Sequence, residues 1–417
     1  MNTDSIDIIY FSLFPWDHPY SSVSLCMARE FAQTNRVFYI NHPHTLKDFV
    51  TGFKEESVQD RMGDLLKGKM RYESIPNLPD KVIGVHPPLT LPINWLPEGK
   101  IYERGFEWNN DKVLETIRKV IADYDLKDFI YINCYDPYYC PVLPRDTGVR
   151  LNVYQCIDDI SQDDYTVRHG VRLEEEAIRR ADIGLVTSSR LYELKSPLNP
   201  NLYVLNNAAD VELFYQAQNK KQDRPAEIRN LSGPIIGYTG NLDDYRIDYP
   251  LLREIALAHT DKTLLLVGPV NSGQFEEQGL HELPNVVHTG GKNIRELPAY
   301  LQYMDCVIIP FLCNELTASI YPLKINEYLA AGKSVISTNF SRDIRQFADQ
   351  IRLVENRAEF IEAIPAAITD NSTVQKAERL ARARKNTWSS RVETFWEIIE
   401  KHWDRPKVKE TVSNDHL

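Results

Sequence analysis

The chain has 417 residues, of which 43% are hydrophobic and 26% are charged, and its formal net charge is −11. This length exceeds what one hydrophobic core usually supports, so we expect two domains. The acidic balance argues against a nucleic acid partner, because proteins that bind nucleic acids carry a basic footprint. Neither a signal peptide nor a run of roughly 20 apolar residues is found, so we expect a cytoplasmic protein, attached at most to the inner face of the cell membrane.

The first half of the chain alternates segments typical of strands with segments typical of helices. Short runs rich in β-branched and aromatic residues predict buried strands at residues 8–14, 36–40, 129–132, 151–157, 183–187 and 202–205. Apolar residues at helical spacing predict helices at residues 23–33, 111–122 and 171–180. This alternation is typical of an α/β domain with a mostly parallel sheet, which we expect to occupy residues 1–215.

A polar segment at residues 216–233 is the best candidate for a linker, and a second α/β series follows it at residues 234–385. Strands are predicted at residues 235–238, 263–267, 286–288, 306–310 and 334–337, and helices at 250–258, 297–303 and 323–331. Two doubly wound domains leave a cleft between the carboxyl ends of their sheets, where ligands of such sheets bind. A helix at residues 386–403 has a wide apolar face that must pack against another element, and the polar tail at 404–417 is predicted to be frayed.

The helix predicted at residues 323–331 begins with a lysine in its first turn. Positive charge is unfavourable there against the helix dipole, so Lys324 is unexpected unless an anion binds at this helix end. Glu327, one turn further along, can accept hydrogen bonds from neutral hydroxyls such as those of a ribose. A surface helix with a simple Lys–Glu pair explains the same two residues equally well.

The sequence PLKINEYLAAGKSVIST at residues 322–338 resembles the donor-site motif of GT-B glycosyltransferases, nearest glycosyltransferase family 4, or glycosyl transferases group 1. Three earlier blocks extend the resemblance in register, at residues 235–252, 264–270 and 283–311. The resemblance implies a GT-B fold, in which two Rossmann-like domains bind acceptor and donor and the C-terminal helix crosses back onto the first domain. It also implies transfer of a hexose-type sugar from a UDP-, GDP- or dTDP-linked donor to a saccharide or lipid-linked saccharide in bacterial surface polysaccharide biosynthesis.

The resemblance implies roles for individual residues of the second domain. Glu327 matches the glutamate that holds the donor ribose, and Lys324 matches the lysine that contacts the diphosphate. Further residues implied to lie beside the donor are Gly240 and Asn241 next to the phosphates, the backbone amides of Thr317, Ala318 and Ser319, and the loops at Gly268 to Val270 and His288 to Asn293 around the nucleobase.

Two departures from the family pattern concern the donor sugar. Ser319 stands where the family carries a second glutamate, and Asn241 stands near the position of a usual basic residue, so Arg246 is the candidate for the missing charge. The resemblance therefore favours a retaining outcome, although these two positions do not match the family pattern.

Candidate acceptor-side residues follow the strands of the first domain. Asp17 and His18, after the first strand, can bind hydroxyls or move a proton, and Trp16 can stack on a sugar. A capped turn with an aromatic staple explains the same segment. Asp158 is the best candidate for a general base in an inverting enzyme, or for orienting the acceptor in a retaining one, although with Asp159 it can also cap a turn.

Other residues rim the same cleft and are weaker candidates, because loop residues in that position need no catalytic role. They are His42, His44, Tyr135 and Asp136.

A metal ion is not expected, because no D-x-D-like pair stands where a donor diphosphate is predicted. Lys324 and the helix N-terminus would neutralise the leaving diphosphate instead, and no cofactor is expected apart from the nucleotide sugar itself, which is a substrate. Residues 61–71 suit either an amphipathic helix at a membrane surface or a surface loop, and Gly63 and Gly68 favour the loop.

Two alternatives to a transferase stay open on the sequence. One is a nucleotide-sugar epimerase of the same fold, and the other is a non-catalytic nucleotide-sugar-binding partner of another transferase.

Overall fold

The computed structural model describes residues 3–16, 22–51, 62–162 and 166–404. The strands of the first sheet are β1 (Ile8–Ser12), β2 (Val37–Asn41), β3 (Arg71–Ser74), β4 (Val82–His86), β5 (Ile130–Cys134), β6 (Leu151–Cys156), β7 (Ile183–Val186) and β8 (Leu202–Val204). They lie in the order β3-β4-β2-β1-β5-β6-β7-β8, and only the β3–β4 pair is antiparallel. β1, β2, β5 and β6 are buried along their whole length, since helices cover both faces of the sheet.

The second domain holds a smaller parallel sheet. The strands of the second domain are β9 (Ile235–Thr239), β10 (Leu242–Asp243), β11 (Thr263–Val267), β12 (Val270–Asn271), β13 (Val286–His288), β14 (Cys306–Ile309), β15 (Val335–Thr338) and β16 (Arg352–Val354). Of these, β10 and β12 form a separate two-stranded ladder. The main sheet has the order β13-β11-β9-β14-β15-β16, with every pair parallel. Two parallel sheets covered by helices confirm the predicted doubly wound α/β architecture.

The helices of the first domain are α1 (Val23–Phe31), α2 (Leu46–Thr51), α3 (Met62–Leu66), α4 (Lys100–Asp123), α5 (Gly170–Arg180) and α6 (Ser189–Lys195). The remaining helices are α7 (Val211–Asn219), α8 (Tyr249–Ala258), α9 (Gln274–Glu277), α10 (Leu297–Tyr303), α11 (Glu315–Ala318), α12 (Leu323–Ala330), α13 (Arg357–Thr369), α14 (Thr373–Ala383) and α15 (Trp388–Trp403). Within these described ranges, no helix is both long and apolar enough to cross a membrane.

Helix α15 returns to the first domain after the second domain is complete. Its Phe395 ring lies 4.9 Å from the Phe31 ring of α1, and Trp396 lies 5.9 Å from the same ring. At the far end, the His402 ring is hydrogen-bonded to the Tyr203 hydroxyl at 2.8 Å. The wide apolar face of this helix is therefore buried in the core of the first domain, as the buried positions Trp388, Phe395, Ile398 and Ile399 show.

The segment predicted as a linker differs from expectation at its start and in its middle. Residues 216–219 close helix α7, whose Phe214 and Ala217 are buried in the core of the second domain. Ile228, in the middle of the predicted linker, has no exposed surface and belongs to the same core. The residues between these buried positions are polar, so the segment looks like a linker in the sequence. A few apolar side chains are enough to pack an irregular segment against a core.

Other differences concern the first domain. Trp16, expected to stack on a sugar, is only 8% exposed, and its ring packs on Gly84 of β4 and lies 4.2 Å from His86. Residues 62–71 form the short helix α3 and the start of β3, so no amphipathic helix runs through them. Strands β3, β4 and β16 of the two main sheets and the two-residue strands β10 and β12 were not predicted. β3 and β16 are short, partly exposed strands at sheet edges, whereas β4 is a mostly buried strand of five residues.

Removal of the Phe395 ring should destabilise the first domain. We expect Phe395→Ala to lower the free energy of unfolding by about 3–5 kcal/mol, because truncation of a buried aromatic ring leaves a cavity. Guanidinium denaturation followed by circular dichroism measures this loss. Glu393→Ala, an exposed position on the same helix, is the matched control and should change the value by less than about 0.5 kcal/mol. Equal effects of the two substitutions would contradict the docking of α15.

Candidate functional site

The carboxyl ends of the two sheets face each other across a cleft that contains several cavities. One cavity of about 320 Å³ is lined by Phe14 and Asp158 from the first domain and by Arg246 and Lys324 from the second. A second cavity of about 420 Å³ extends into the second domain, and Lys324 and Glu327 both line it. Because Lys324 lines both cavities, it stands at their junction.

Lys324 lies in the first turn of α12 and is half-buried. Its ammonium nitrogen is 5.8 Å from the centre of the Tyr238 ring and 6.0 Å from that of Phe311. Burial and the nearby Arg246 guanidinium lower the pKa of Lys324, and no carboxylate of the described residues forms an ion pair with it. A cation in this state can bind an anionic ligand without first losing a protein partner.

Glu327 is the complementary group, one turn further along α12. It is 7% exposed, and burial raises the pKa of its carboxyl to about 7, against the opposing effect of Lys324. No residue in the described part of the chain donates a hydrogen bond to this carboxyl group. A simple surface Lys–Glu pair is therefore wrong, and a buried carboxyl without donors is costly unless a ligand supplies them.

Two glycine loops shape the floor of the second cavity. Gly240 follows β9 with φ of 135°, and Gly268 follows β11 with φ of 156°. A Cβ atom on Gly268 would lie 1.9 Å from the Gly240 carbonyl oxygen, and one on Gly240 would lie 2.2 Å from Cε of Lys324. Only glycine permits this approach, so the two loops and the lysine stem form one closely packed unit.

The side chains around these loops mainly hold the loops in place. Nε2 of His288 lies 2.7 Å from the Gly268 carbonyl oxygen, and the Asn241 side chain accepts a 2.9 Å hydrogen bond from Asn271. Asn293 was predicted beside the nucleobase, but its side chain is exposed and caps the 3-10 turn Ile294–Glu296. Its neighbours Lys292 and Ile294 line the cavity in its place.

The loop predicted to offer its backbone amides to a diphosphate uses those amides in hydrogen bonds within the protein. The N–H of Thr317 donates to Oδ1 of Asn314 at 2.9 Å, and the N–H of Ser319 donates to the Leu316 carbonyl at 3.0 Å. The N–H of Ala318 likewise bonds to the Asn314 carbonyl. All three amides are used inside α11 and the turn after it, so their predicted role is wrong for this structure.

Arg246 and Asp158 meet in the first cavity from opposite domains. Nε of Arg246 donates to Asp243 at 2.8 Å, which fixes the guanidinium beside the cavity. Burial raises the pKa of Asp158, and Arg246 acts in the opposite direction. Asp159, in contrast, accepts hydrogen bonds from the backbone and side chain of Ser161 and caps a turn.

Two groups of residues remain. The first holds predicted site residues that lie outside the described part of the chain, and the second holds site residues that the sequence analysis did not predict. Asp17 and His18 lie in the first group. Asn207 lies in the second: it lines the first cavity, and no residue in the described part of the chain donates a hydrogen bond to its buried Oδ1 atom. No sequence pattern marks Asn207, because its position depends on how the chain passes between the domains.

Comparisons with known proteins find relatives of part of the chain by sequence and of the whole chain by structure. Residues 233–370 match the family model for glycosyl transferases group 1. The chain is 32% identical over 171 residues to TuaH of Bacillus subtilis (strain 168), whose name assigns it to teichuronic acid biosynthesis as a glycosyltransferase. That match covers 40% of this chain and 42% of TuaH, so it spans less than half of the relative's length.

Solved structures resemble the whole chain at low identity. Sucrose-phosphate synthase from Thermosynechococcus elongatus has a TM-score of 0.60 at 15% identity and covers 95% of this chain and 98% of its own. A UDP-forming trehalose-phosphate synthase from Burkholderia xenovorans scores 0.65 at 12% identity, covering 95% and 99%. The Anabaena protein HepE in complex with UDP scores 0.62 at 14% identity, covering 95% and 100%. These likenesses confirm the predicted GT-B fold.

The glycine contact gives a direct test of the site's construction. We expect Gly268→Ala to destabilise the second domain by about 1–3 kcal/mol and to impair nucleotide binding, because the new methyl group collides with the Gly240 carbonyl. Thermal unfolding with and without UDP, GDP and dTDP measures both effects. Gly273→Ala is the matched control, since its φ is −75° and the nearest atom lies 3.8 Å from the new methyl group. Wild-type stability and binding in Gly268→Ala would contradict the contact.

Proposed function

We propose that this chain, whose residues 233–370 match the family model for glycosyl transferases group 1, transfers a sugar from a nucleoside-diphosphate sugar to a saccharide or lipid-linked saccharide. The observation that carries the proposal is the position of Lys324 and Glu327 on one turn of α12, where both are partly or fully buried at the cleft and no described residue pairs with either side chain. A cation and a carboxyl group without partners match a diphosphate and a ribose, respectively.

The donor is proposed to bind with its diphosphate at the junction of the two cavities. Lys324 and Arg246 would face the phosphates, and Glu327 would accept hydrogen bonds from the ribose hydroxyls. Gly240 and Gly268 allow the backbone to come close to the phosphates because neither carries a side chain. The nucleobase would then extend past Glu327, toward the side of the cavity that Lys292 and Ile294 line.

Transfer is proposed to need no metal ion. The acceptor hydroxyl oxygen bonds to the anomeric carbon and gives its proton to a phosphate oxygen of the leaving group. The bond from that carbon to the phosphate oxygen breaks, and the nucleoside diphosphate leaves with the electron pair. Lys324 and Arg246 stabilise the charge that develops on this leaving group. Asp158 faces Arg246 from the other domain, where it would bind hydroxyls of the acceptor or the transferred sugar.

The stereochemical outcome is a separate question from the transfer itself. Retention at the anomeric carbon, implied by the family resemblance, stays a prediction that proton NMR of the product's anomeric signal tests. A role in surface polysaccharide biosynthesis is supported by the similarity to TuaH.

A panel of UDP-, GDP- and dTDP-sugars incubated with a lipid extract of Bacillus subtilis membranes tests the activity. Acceptor-dependent release of one nucleoside diphosphate is the expected result. A sugar that changes without release of nucleotide would indicate an epimerase. Binding of a donor without either reaction would indicate a binding partner of another enzyme.

The donor site predicts the effect of two single substitutions. We expect Lys324→Ala and Glu327→Ala each to weaken nucleotide binding by about 1.5–3 kcal/mol, since each removes a charge-assisted hydrogen bond. Isothermal titration calorimetry with the nucleotide that the panel identifies measures the change. Lys385→Ala and Glu378→Ala, at exposed positions of the same domain, are the matched controls. Unchanged affinity in both site variants would place the donor elsewhere.

The raised pKa of Glu327 predicts a pH dependence of nucleotide binding. With a pKa of about 7, its carboxyl is neutral below this pH and ionised above it, and hydroxyl donors bind the ionised form more strongly. Affinity should therefore rise as the pH increases from about 6 to about 8. Glu327→Gln should remove the part of this rise that the nucleotide's own phosphate ionisation does not cause. Parallel pH profiles for the wild type and Glu327→Gln would contradict the assignment.

A further inference from the structure

A histidine and an aspartate form a close pair at the carboxyl edge of the first sheet. His42 directly follows β2, and Asp136 lies in the loop after β5. Nδ1 of His42 is 2.6 Å from Oδ2 of Asp136. The Asp136 side chain has no exposed surface, whereas that of His42 is 29% exposed.

The loop that carries Asp136 is held rigidly. The N–H of Asp136 donates to Oδ1 of Asn133 at 3.0 Å, and its Oδ1 accepts from the N–H of Tyr138 at 3.1 Å. Tyr135 and Cys140, on either side, have left-handed φ angles of 62° and 41°. Such angles cost energy in residues with a side chain, so they persist only where the surroundings fix the backbone.

This arrangement determines what the histidine can offer to a ligand. Nδ1 faces a carboxylate oxygen, so in the neutral ring Nδ1 carries the proton and Nε2 carries a lone pair. No donor among the described residues reaches Nε2. Because Nδ1 is held against a fully buried carboxylate, the exposed part of the ring is its opposite side, which includes Nε2.

The pair lies at the same edge of the sheet as the first cavity. Strand β1 lies between β2 and β5, so the contact from His42 to Asp136 passes over the end of β1. Phe14, shortly after β1, lines the cavity and stacks on Tyr135 at 6.3 Å, and Asp158, shortly after β6, lines it from the other side. The Tyr139 ring lies 5.0 Å from the His42 ring and packs edge-on against it.

We propose that His42 and Asp136 bind the sugar acceptor: Nε2 of His42 accepts a hydrogen bond from an acceptor hydroxyl, and Asp136 fixes the ring and its tautomer. The inference rests on the proposed transferase function and assigns a positioning role within it. The donor diphosphate and ribose are proposed to bind across the cleft at Lys324 and Glu327, so the side of the cleft that carries His42 is assigned to the acceptor. A saccharide supplies hydroxyl groups that can donate a hydrogen bond to an Nε2 lone pair.

The test compares donor and acceptor kinetics in variants of the full chain. His42→Ala and Asp136→Asn should each raise the amount of Bacillus subtilis membrane lipid extract needed for half-maximal rate by about three- to tenfold, the size expected for one lost hydrogen bond. The KM for the nucleotide sugar should stay within about twofold of wild type. His42→Gln, whose amide oxygen can still accept a hydrogen bond, should recover part of the loss.

Controls separate this role from a structural one and from failure of the proposed function. His281→Ala, an exposed histidine of the second domain, should leave both kinetic constants unchanged. A double variant, His42→Ala with Asp136→Asn, should be no worse than the poorer single variant, because the aspartate acts through the histidine. Equal changes in donor and acceptor constants, or none in either, would overturn the proposal while leaving the transferase function in place. A wild-type protein that releases no nucleotide from any donor would overturn both.

Discussion

The contact between Gly240 and Gly268 is the constraint on which the candidate donor site depends. The Gly240 carbonyl occupies the space where a side chain on residue 268 would stand, so the loop after β11 can approach the loop after β9 only with glycine at position 268. The Lys324 stem packs against Gly240 in turn, which places its ammonium group at the mouth of both cavities. Glu327 follows on the same helix, so its position depends on the same contact.

A second constraint is the connection between the domains, because the cleft exists only if the sheets face each other. Helix α15 packs in the core of the first domain, although it follows the second domain in the chain. On the opposite side, Asp343 of the second domain accepts hydrogen bonds from the backbone and side chain of Ser189 at 2.9 and 2.7 Å. Arg190 and Glu315 form an ion pair nearby, at 3.4 Å. These contacts bring Asp158 and Arg246 to the walls of one cavity.

Sequence patterns predicted the central strands well, apart from β4, and missed two of the four edge strands, β3 and β16. A strand buried on both faces is a continuous apolar run, so β1, β6 and β11 are visible without any structure. Edge strands such as β3 are partly exposed and mix polar with apolar residues. The loop at 314–319 was also misjudged, because Asn314 and Thr317 form a reciprocal capping box that turns it into a short helix.

The sequence by itself determined the two-domain α/β class, the family resemblance of the second domain, and Lys324 and Glu327 as candidate donor ligands. These features are local: periodicity, a helix start and a motif lie within short stretches of chain. Only the tertiary structure decided that Glu327 is buried with no hydrogen-bond donor among the described residues, that Trp16 faces a β-strand, and that His42 meets Asp136. Each of these depends on residues far apart in the chain, since burial and pairing are set by which strands are neighbours and by how the two domains meet.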